Sequence, residues 1–286
     1  MKDKRNPVTD LIEAYENYLI SSFDGLWEAV AIEPDKLEAY SVIGALLSRQ
    51  VTLSIELARS PNAWNGHSAP LYLRAMTDLC IALAWILGDP VERSKKYIMH
   101  GLGEEKLLME QYKQLLRDNP DDPNKEQIDQ LIDTKDKWIN SQTRDFFVEV
   151  NLGHWAQLDY RKMAQESGCE DLYKFAYKPF SQAAHNMWPH VSVHNSRYCE
   201  NPLHRHHLIP ELLEIPIDVD YLYRSCKYVD KVYRLLVDKF GLVLELPLPH
   251  EWWDQYFSTT TPHAEREEVI ESDGLIGDRP PTIPKS

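Results

Sequence analysis

The sequence predicts an all-α fold, an antiparallel helical bundle in a single main domain followed by an irregular C-terminal tail. Three observations predict it. Apolar residues return every three or four positions through most of the chain, no segment shows the two-residue alternation of a convincing strand, and Gly, Pro and Asn clusters fall between the periodic stretches. Internal repeats of about 20 to 50 residues are not found, which argues against a solenoid.

Residues 7–32 carry Leu11, Ile12, Tyr15, Tyr18, Leu19, Phe23, Leu26 and Trp27 on one stripe of an amphipathic helix. Residues 36–58 repeat the pattern with Tyr40, Ile43, Leu46, Leu47, Val51, Ile55 and Leu57, and Pro61-Asn62 ends it. Ser68 is placed to cap, and Pro70 to open, a third helix that runs to Leu87 and stops at Gly88-Asp89-Pro90. Being apolar nearly all round, this helix belongs in the middle of the bundle. Two long polar-faced helices at 91–117 and 125–150 flank the turn-forming stretch 119–124 and read as an antiparallel hairpin. Shorter helices follow at 158–166 and 170–187. After a proline-containing loop, Tyr221, Leu222, Cys226, Val229, Val232, Leu235 and Leu236 mark a helix ending near Gly241. The helical domain is therefore expected over residues 1–241. From 242 to 286 the helical period is lost, and from about Pro262 the chain reads as a disordered or partner-bound tail.

A chain of 286 residues buries enough apolar surface to fold without disulfides or metals. Cys80, Cys169, Cys199 and Cys226 are widely spaced and form no CxxC pair, and the charged opening of the chain lacks secretory character, so a reducing cytoplasmic setting is expected. The longest unbroken apolar run, 79–87, falls well short of the roughly 20 residues needed to span a bilayer, and no membrane association is expected. A net charge of -14 argues against coating nucleic acid by bulk electrostatics, yet it leaves room for a local basic site. Residues 171–210 are such a place: Lys174, Lys178, Arg197 and Arg205 stand against Asp171 and Glu200. The same stretch holds His185, His190, His194, His204, His206 and His207, from a total of 11 histidines.

Within the third helix, Arg74 and Asp78 share a face at i, i+4, in surroundings too apolar to tolerate free charge. They form either a buried pair that fixes helix register or an arginine that holds a phosphate or carboxylate. Tyr173, Tyr177, Ser181 and His185 are also four apart, so successive members stack into a polar-aromatic stripe that can aim a hydroxyl at an imidazole. Alternatively these groups satisfy one another between helices. Pro179, inside the run, is expected to kink it.

His190 and His194 have the spacing with which a helix offers two ligands to zinc, but no Glu follows His190 and no third ligand is evident beyond Asp78 or Glu200. The dense His204-Arg205-His206-His207 run, between Pro202 and Pro210, reads as a solvated or anion-contacting turn. The Arg-to-His spacing of HEPN ribonucleases occurs at Arg93/His100 and at Arg197/His204, about as often as chance supplies.

The run from Tyr72 to Asp78, with Gly88-Asp89-Pro90, Arg93 and Tyr97, resembles a bacterial domain-of-unknown-function family of all-helical proteins. So does the second block, residues 160–167 with Tyr173, Tyr177, Ser181 and His185. The resemblance covers about residues 12–192 and departs from the family pattern at Asp78, where Glu is usual, and at Pro179. It implies an all-α, HEPN-like bundle that brings Arg74, Asp78, Tyr173, Tyr177, Ser181 and His185 together, and by analogy a homodimer with a role in phage defence or as a toxin.

These readings give three expectations of function. The first is an RNA-cleaving effector needing no metal or cofactor, in which His185 acts as acid or base with Asp78, Ser181 and Tyr177 around it, Arg74 stabilises phosphate, and Tyr173, Arg197, His194 and His204 contact the substrate. The second is a non-catalytic helical adaptor whose tail binds a protein partner. The third is a metal-dependent hydrolase built on His190, His194 and one of Asp78 or Glu200.

Overall fold

Asn6 and Pro7 begin the first helix as local chemistry dictates. Asn6 Oδ1 accepts the Val8 N–H at 3.0 Å, and Pro7 takes a first-turn position where no donor is needed. The computed structural model describes residues 6–146 and 159–260. Helices α1 (Pro7–Glu28), α2 (Leu37–Ala58) and α3 (Ala69–Gly88) follow the expected periods. Ser68 does not cap α3; Asn65 Oδ1 instead receives the N–H groups of His67 and Ser68, at 2.9 and 3.1 Å.

By length and composition alone α3 could cross a membrane. In the fold its Leu73, Met76, Cys80, Ile81, Leu83 and Ile86 are buried, so core packing accounts for that composition.

Helices α4 (Pro90–Asp118) and α5 (Lys125–Phe146) form the expected antiparallel hairpin, with a small core of Leu102, Met109 and Ile139. The last residues expected in the fifth helix, 147–150, lie outside the described residues. Helix α6 (Tyr160–Glu166) starts at Asp159, whose carboxylate accepts the Lys162 N–H at 2.8 Å. The helix expected over 170–187 is a composite of α7 (Glu170–Leu172), a π-helical turn (Tyr173–Tyr177) and α8 (Lys178–Ala184). Where a loop was expected, α9 (Trp188–His194) and an antiparallel hairpin of β1 (Ser196–Tyr198) and β2 (Leu208–Pro210) occur, with Arg197 opposite Ile209. Three-residue strands are too short to display alternation.

Helix α10 (Asp220–Phe240) packs on α2 and α3 and ends at Gly241, whose φ of 62° is the left-handed closure that glycine permits. A chain of hydroxyls ties these elements together. Tyr15 Oη meets Ser54 Oγ at 2.9 Å, Ser54 meets Ser225 at 3.0 Å, and Ser225 donates to the Leu222 carbonyl at 2.7 Å. Every buried hydroxyl in the relay is thereby satisfied.

The irregular tail expected from residue 242 needs correction. Residues 249–260 form α11 (Pro249–Thr260), which packs on α10. Trp252 stacks on Tyr18 at 4.7 Å, and Trp253, only 7% exposed, lies edge-on to Tyr15 at 5.6 Å and tilted against Tyr223 at 5.4 Å. The Tyr18 hydroxyl also donates to the Pro247 carbonyl at 2.7 Å. The prolines at 247 and 249 punctuate the chain without ending the bundle. Residues 261–286, including the proline-rich stretch, lie outside the described residues.

Replacing Trp253 by Ala is predicted to lower stability in urea unfolding by about 3 kcal/mol, the scale of a buried indole lost from a core. A change under about 0.5 kcal/mol, typical of a surface position, would contradict the placement of α11 in the bundle.

Candidate functional site

The π-helical turn explains how a proline fits inside the Tyr-Tyr-Ser-His run. Lys178 donates its N–H to the Tyr173 carbonyl five residues back, and Pro179, which has no N–H, falls at the start of α8 where none is required. The stripe survives. Tyr173 and Tyr177 stack with centroids 4.8 Å apart, and Ser181 Oγ donates to the Tyr177 carbonyl at 2.7 Å.

Opposite this stripe stands Arg74 of α3, its side chain 11% exposed. Its guanidinium lies 3.5 Å from the centroid of the Tyr177 ring, a cation–π contact worth on the order of 2 kcal/mol when desolvated. Its Nε donates to Ser181 Oγ at 2.7 Å, and its Nη1 is ion-paired with Asp78 Oδ2. Tyr160 of α6 closes one side, 5.4 Å from Tyr177 and 5.9 Å from the Arg74 guanidinium carbon. Arg74 is thus held on one face by an aromatic ring, along one edge by a hydroxyl and at its tip by a carboxylate.

Asp78 is held less completely. Its side chain is 28% exposed, and Oδ1 has no hydrogen-bond partner among the described residues. Burial pushes the carboxyl above its ordinary range, while the charges of Arg74 and, to a smaller extent, His185 pull it back. His185 ends α8, is exposed to solvent and lies near enough to act on Asp78 electrostatically. Burial likewise raises the Tyr177 hydroxyl, against the lowering effect of Arg74. Arg74, Asp78, Tyr173, Tyr177 and Ser181 are therefore brought together, with His185 at the open margin.

The remaining sequence candidates find their partners elsewhere. Arg197 is bound to Glu200 at 3.0 Å and to Glu211 at 3.3 Å on the hairpin. His194 Nδ1 meets the His190 carbonyl at 2.9 Å, and the two rings stack at 4.2 Å with 17° between their planes. Stacked faces do not aim two nitrogens at one ion. Asp78 and Glu200, the other ligands considered, are engaged by Arg74 and Arg197. The metal centre expected on His190 and His194 is thus not assembled among the described residues. His204 lies in the hairpin loop, 3.7 Å from Cys199 Sγ.

Arg93, of the Arg93/His100 spacing, is committed to structure. It bonds the Trp85 carbonyl through Nη1, lies 4.1 Å over the Trp85 ring and approaches Glu166 at 3.8 Å. A Cβ on Gly88 would come within 2.8 Å of Arg93 Nη1, so glycine makes room for this clasp.

Two participants were missed as site residues. Tyr160 lay at the head of the second resemblance block, and that position was the available signal. Cys199, beside His204 in the hairpin loop, was read only as a cysteine outside any CxxC pair, and no residue spacing alone signalled that grouping.

In carbon-detected NMR titration, the Asp78 carboxyl is predicted to titrate above the usual value near 3.9 and higher still in Arg74→Gln, which removes an opposing cation. Because folding holds this proton more tightly, its contribution to stability is greatest below about pH 4 and fades as pH rises through the folded pKa. Titration at or below the range of exposed aspartates would contradict the burial ascribed to it.

Comparison with known proteins agrees with the sequence blocks. A match to DUF5677, a family of unknown function, covers residues 40–201 and so includes Arg74, Asp78, Tyr160, Tyr173, Tyr177, Ser181 and His185. No curated protein and no solved structure matches the chain. With more than half of its length in that match, the chain belongs to DUF5677, and its polar cluster lies wholly inside the family's span.

Proposed function

We propose that the chain is an RNA-cleaving, HEPN-like effector that works without metal and acts through the Arg74, Asp78 and His185 cluster. One observation supports this reading: a fixed guanidinium is paired with a carboxyl raised by burial and still 28% exposed, and an exposed imidazole lies within electrostatic reach of that carboxyl.

His185 takes the proton of a ribose 2′-hydroxyl, and the 2′-oxygen attacks the adjacent phosphorus. The phosphorus–O5′ bond breaks, giving a 2′,3′-cyclic phosphate, and the leaving 5′-oxygen takes its proton from water while His185 returns the one it accepted to solvent. Arg74, held by Asp78, sets its positive charge against the phosphate. Tyr177 and Ser181 keep the guanidinium in place. A homodimer pairing two such sites, and a role in phage defence or as a toxin, are extensions of the HEPN likeness.

A second reading is favoured by a specific observation. The contacts of Arg74 to Asp78, Ser181 and Tyr177 are those of a register-fixing network, which suits a non-catalytic adaptor.

The two readings separate on paired variants. The purified wild type is predicted to degrade RNA in the presence of a chelator. His185→Ala should slow cleavage at least about 100-fold while leaving the melting temperature unchanged, because the imidazole is exposed. Intact RNA across a range of substrates with wild-type protein, alongside an Arg74→Gln variant whose only defect is a loss of about 2 kcal/mol of stability, would overturn the first reading and support the adaptor.

A further inference from the structure

The β1–β2 hairpin carries a nine-residue connection, 199–207, whose ends are tied by the Cys199 N–H donating to the His207 carbonyl at 2.8 Å. Inside it the His204 N–H reaches the Asn201 carbonyl at 2.9 Å and the His207 N–H reaches the His204 carbonyl at 3.1 Å. His206 takes a positive φ of 61°. These turns fold the connection back so that Cys199, His204 and His207 face one another. One ligand atom from each lies within 4.8 Å of the others, a grouping among the described residues that no other His, Cys, Asp or Glu joins.

The spacing suits a particular ion. With zinc bonds of about 2.3 Å to sulfur and 2.0 to 2.1 Å to nitrogen, a tetrahedral site separates its sulfur and nitrogen donors by about 3.6 Å. Cys199 Sγ and His204 Nδ1 are 3.7 Å apart. The His204 and His207 rings, with centroids 5.5 Å apart and planes at 68°, avoid the stacked arrangement that disqualifies His190 and His194. One thiolate with two imidazoles is a donor set for zinc rather than for magnesium or calcium, which take oxygen ligands.

From this geometry we infer that the hairpin loop is a zinc site in which Cys199, His204 and His207 supply three ligands and water completes the tetrahedron. The Cys199 thiol gives up its proton to solvent on binding, so affinity rises with pH. Coordination through His204 Nδ1 leaves the ring proton on Nε2, and the present contact of that nitrogen with Asn201 Nδ2, at 3.3 Å, turns over on loading. The ion pins a connection that two three-residue strands hold only marginally. The site shares no residue with the Arg74 cluster and does not depend on the proposed RNA cleavage.

The test uses full-length protein purified without a histidine tag and loaded with Zn²⁺ or Co²⁺ alone. About one zinc per chain should survive desalting, and the cobalt form should show a thiolate-to-metal charge-transfer band. Cys199→Ser and His204→Ala should each weaken zinc binding by more than about 100-fold, beyond the loss of an outer contact. Both positions lie in a surface turn, so the melting temperature of the bundle is expected to hold. His190→Ala should retain the metal. Zinc lost on desalting from the wild type, or bound equally well by Cys199→Ser with no charge-transfer band in the wild type, would overturn the site.

Discussion

A positive charge carried on the most apolar helix must be met where it stands, and the placement of Arg74 on α3 constrains everything around it. Leaving a guanidinium unpaired on a side chain only 11% exposed would cost several kcal/mol. Asp78, one turn along the same helix, supplies the countercharge, while α8 supplies a hydroxyl and the π-helical turn an aromatic face. Helices far apart in sequence are thereby locked in one register. The wide turn is part of that solution, since it lets the chain carry Pro179 without losing the stack of Tyr173 on Tyr177.

The same constraint leaves something over. Asp78 keeps a buried oxygen without a hydrogen-bond partner among the described residues, and His185, whose charge acts on it, is exposed. Burial makes the carboxyl easier to protonate, and protonation loosens the ion pair that restrains Arg74. Under the proposed function, structure and chemistry would draw on this one set of groups.

Much of the fold was legible because long helices repeat their signal. The stripes of α1, α2 and α10 and the all-round apolarity of α3 survive local irregularity. The pairing of Arg74 with Asp78 could be read from i, i+4 spacing within an apolar segment. Its meeting with Tyr177 and Ser181 rested on resemblance, because no local rule carries information across about a hundred residues. The π-helical turn was invisible to a reading based on 3.6-residue periodicity, which registered only the breaker Pro179. Helix α11 was lost because the chain from residue 242 onward read as having no helical period, though Trp252, Trp253, Tyr256 and Phe257 already had helical spacing. The grouping of Cys199 with His204 and His207 depends on backbone turns that residue types alone do not specify.

Cleavage through a ribose 2′-hydroxyl is the central chemical claim, and an RNA oligonucleotide with one 2′-deoxy substitution at a mapped cleavage position tests it most directly. The expected result, in chelator, is loss of cleavage at that position alone, with fragments from neighbouring positions ending in 2′,3′-cyclic phosphate. Undiminished cutting at the 2′-deoxy position, or cutting that requires an added divalent ion, would contradict the roles given to His185, Asp78 and Arg74.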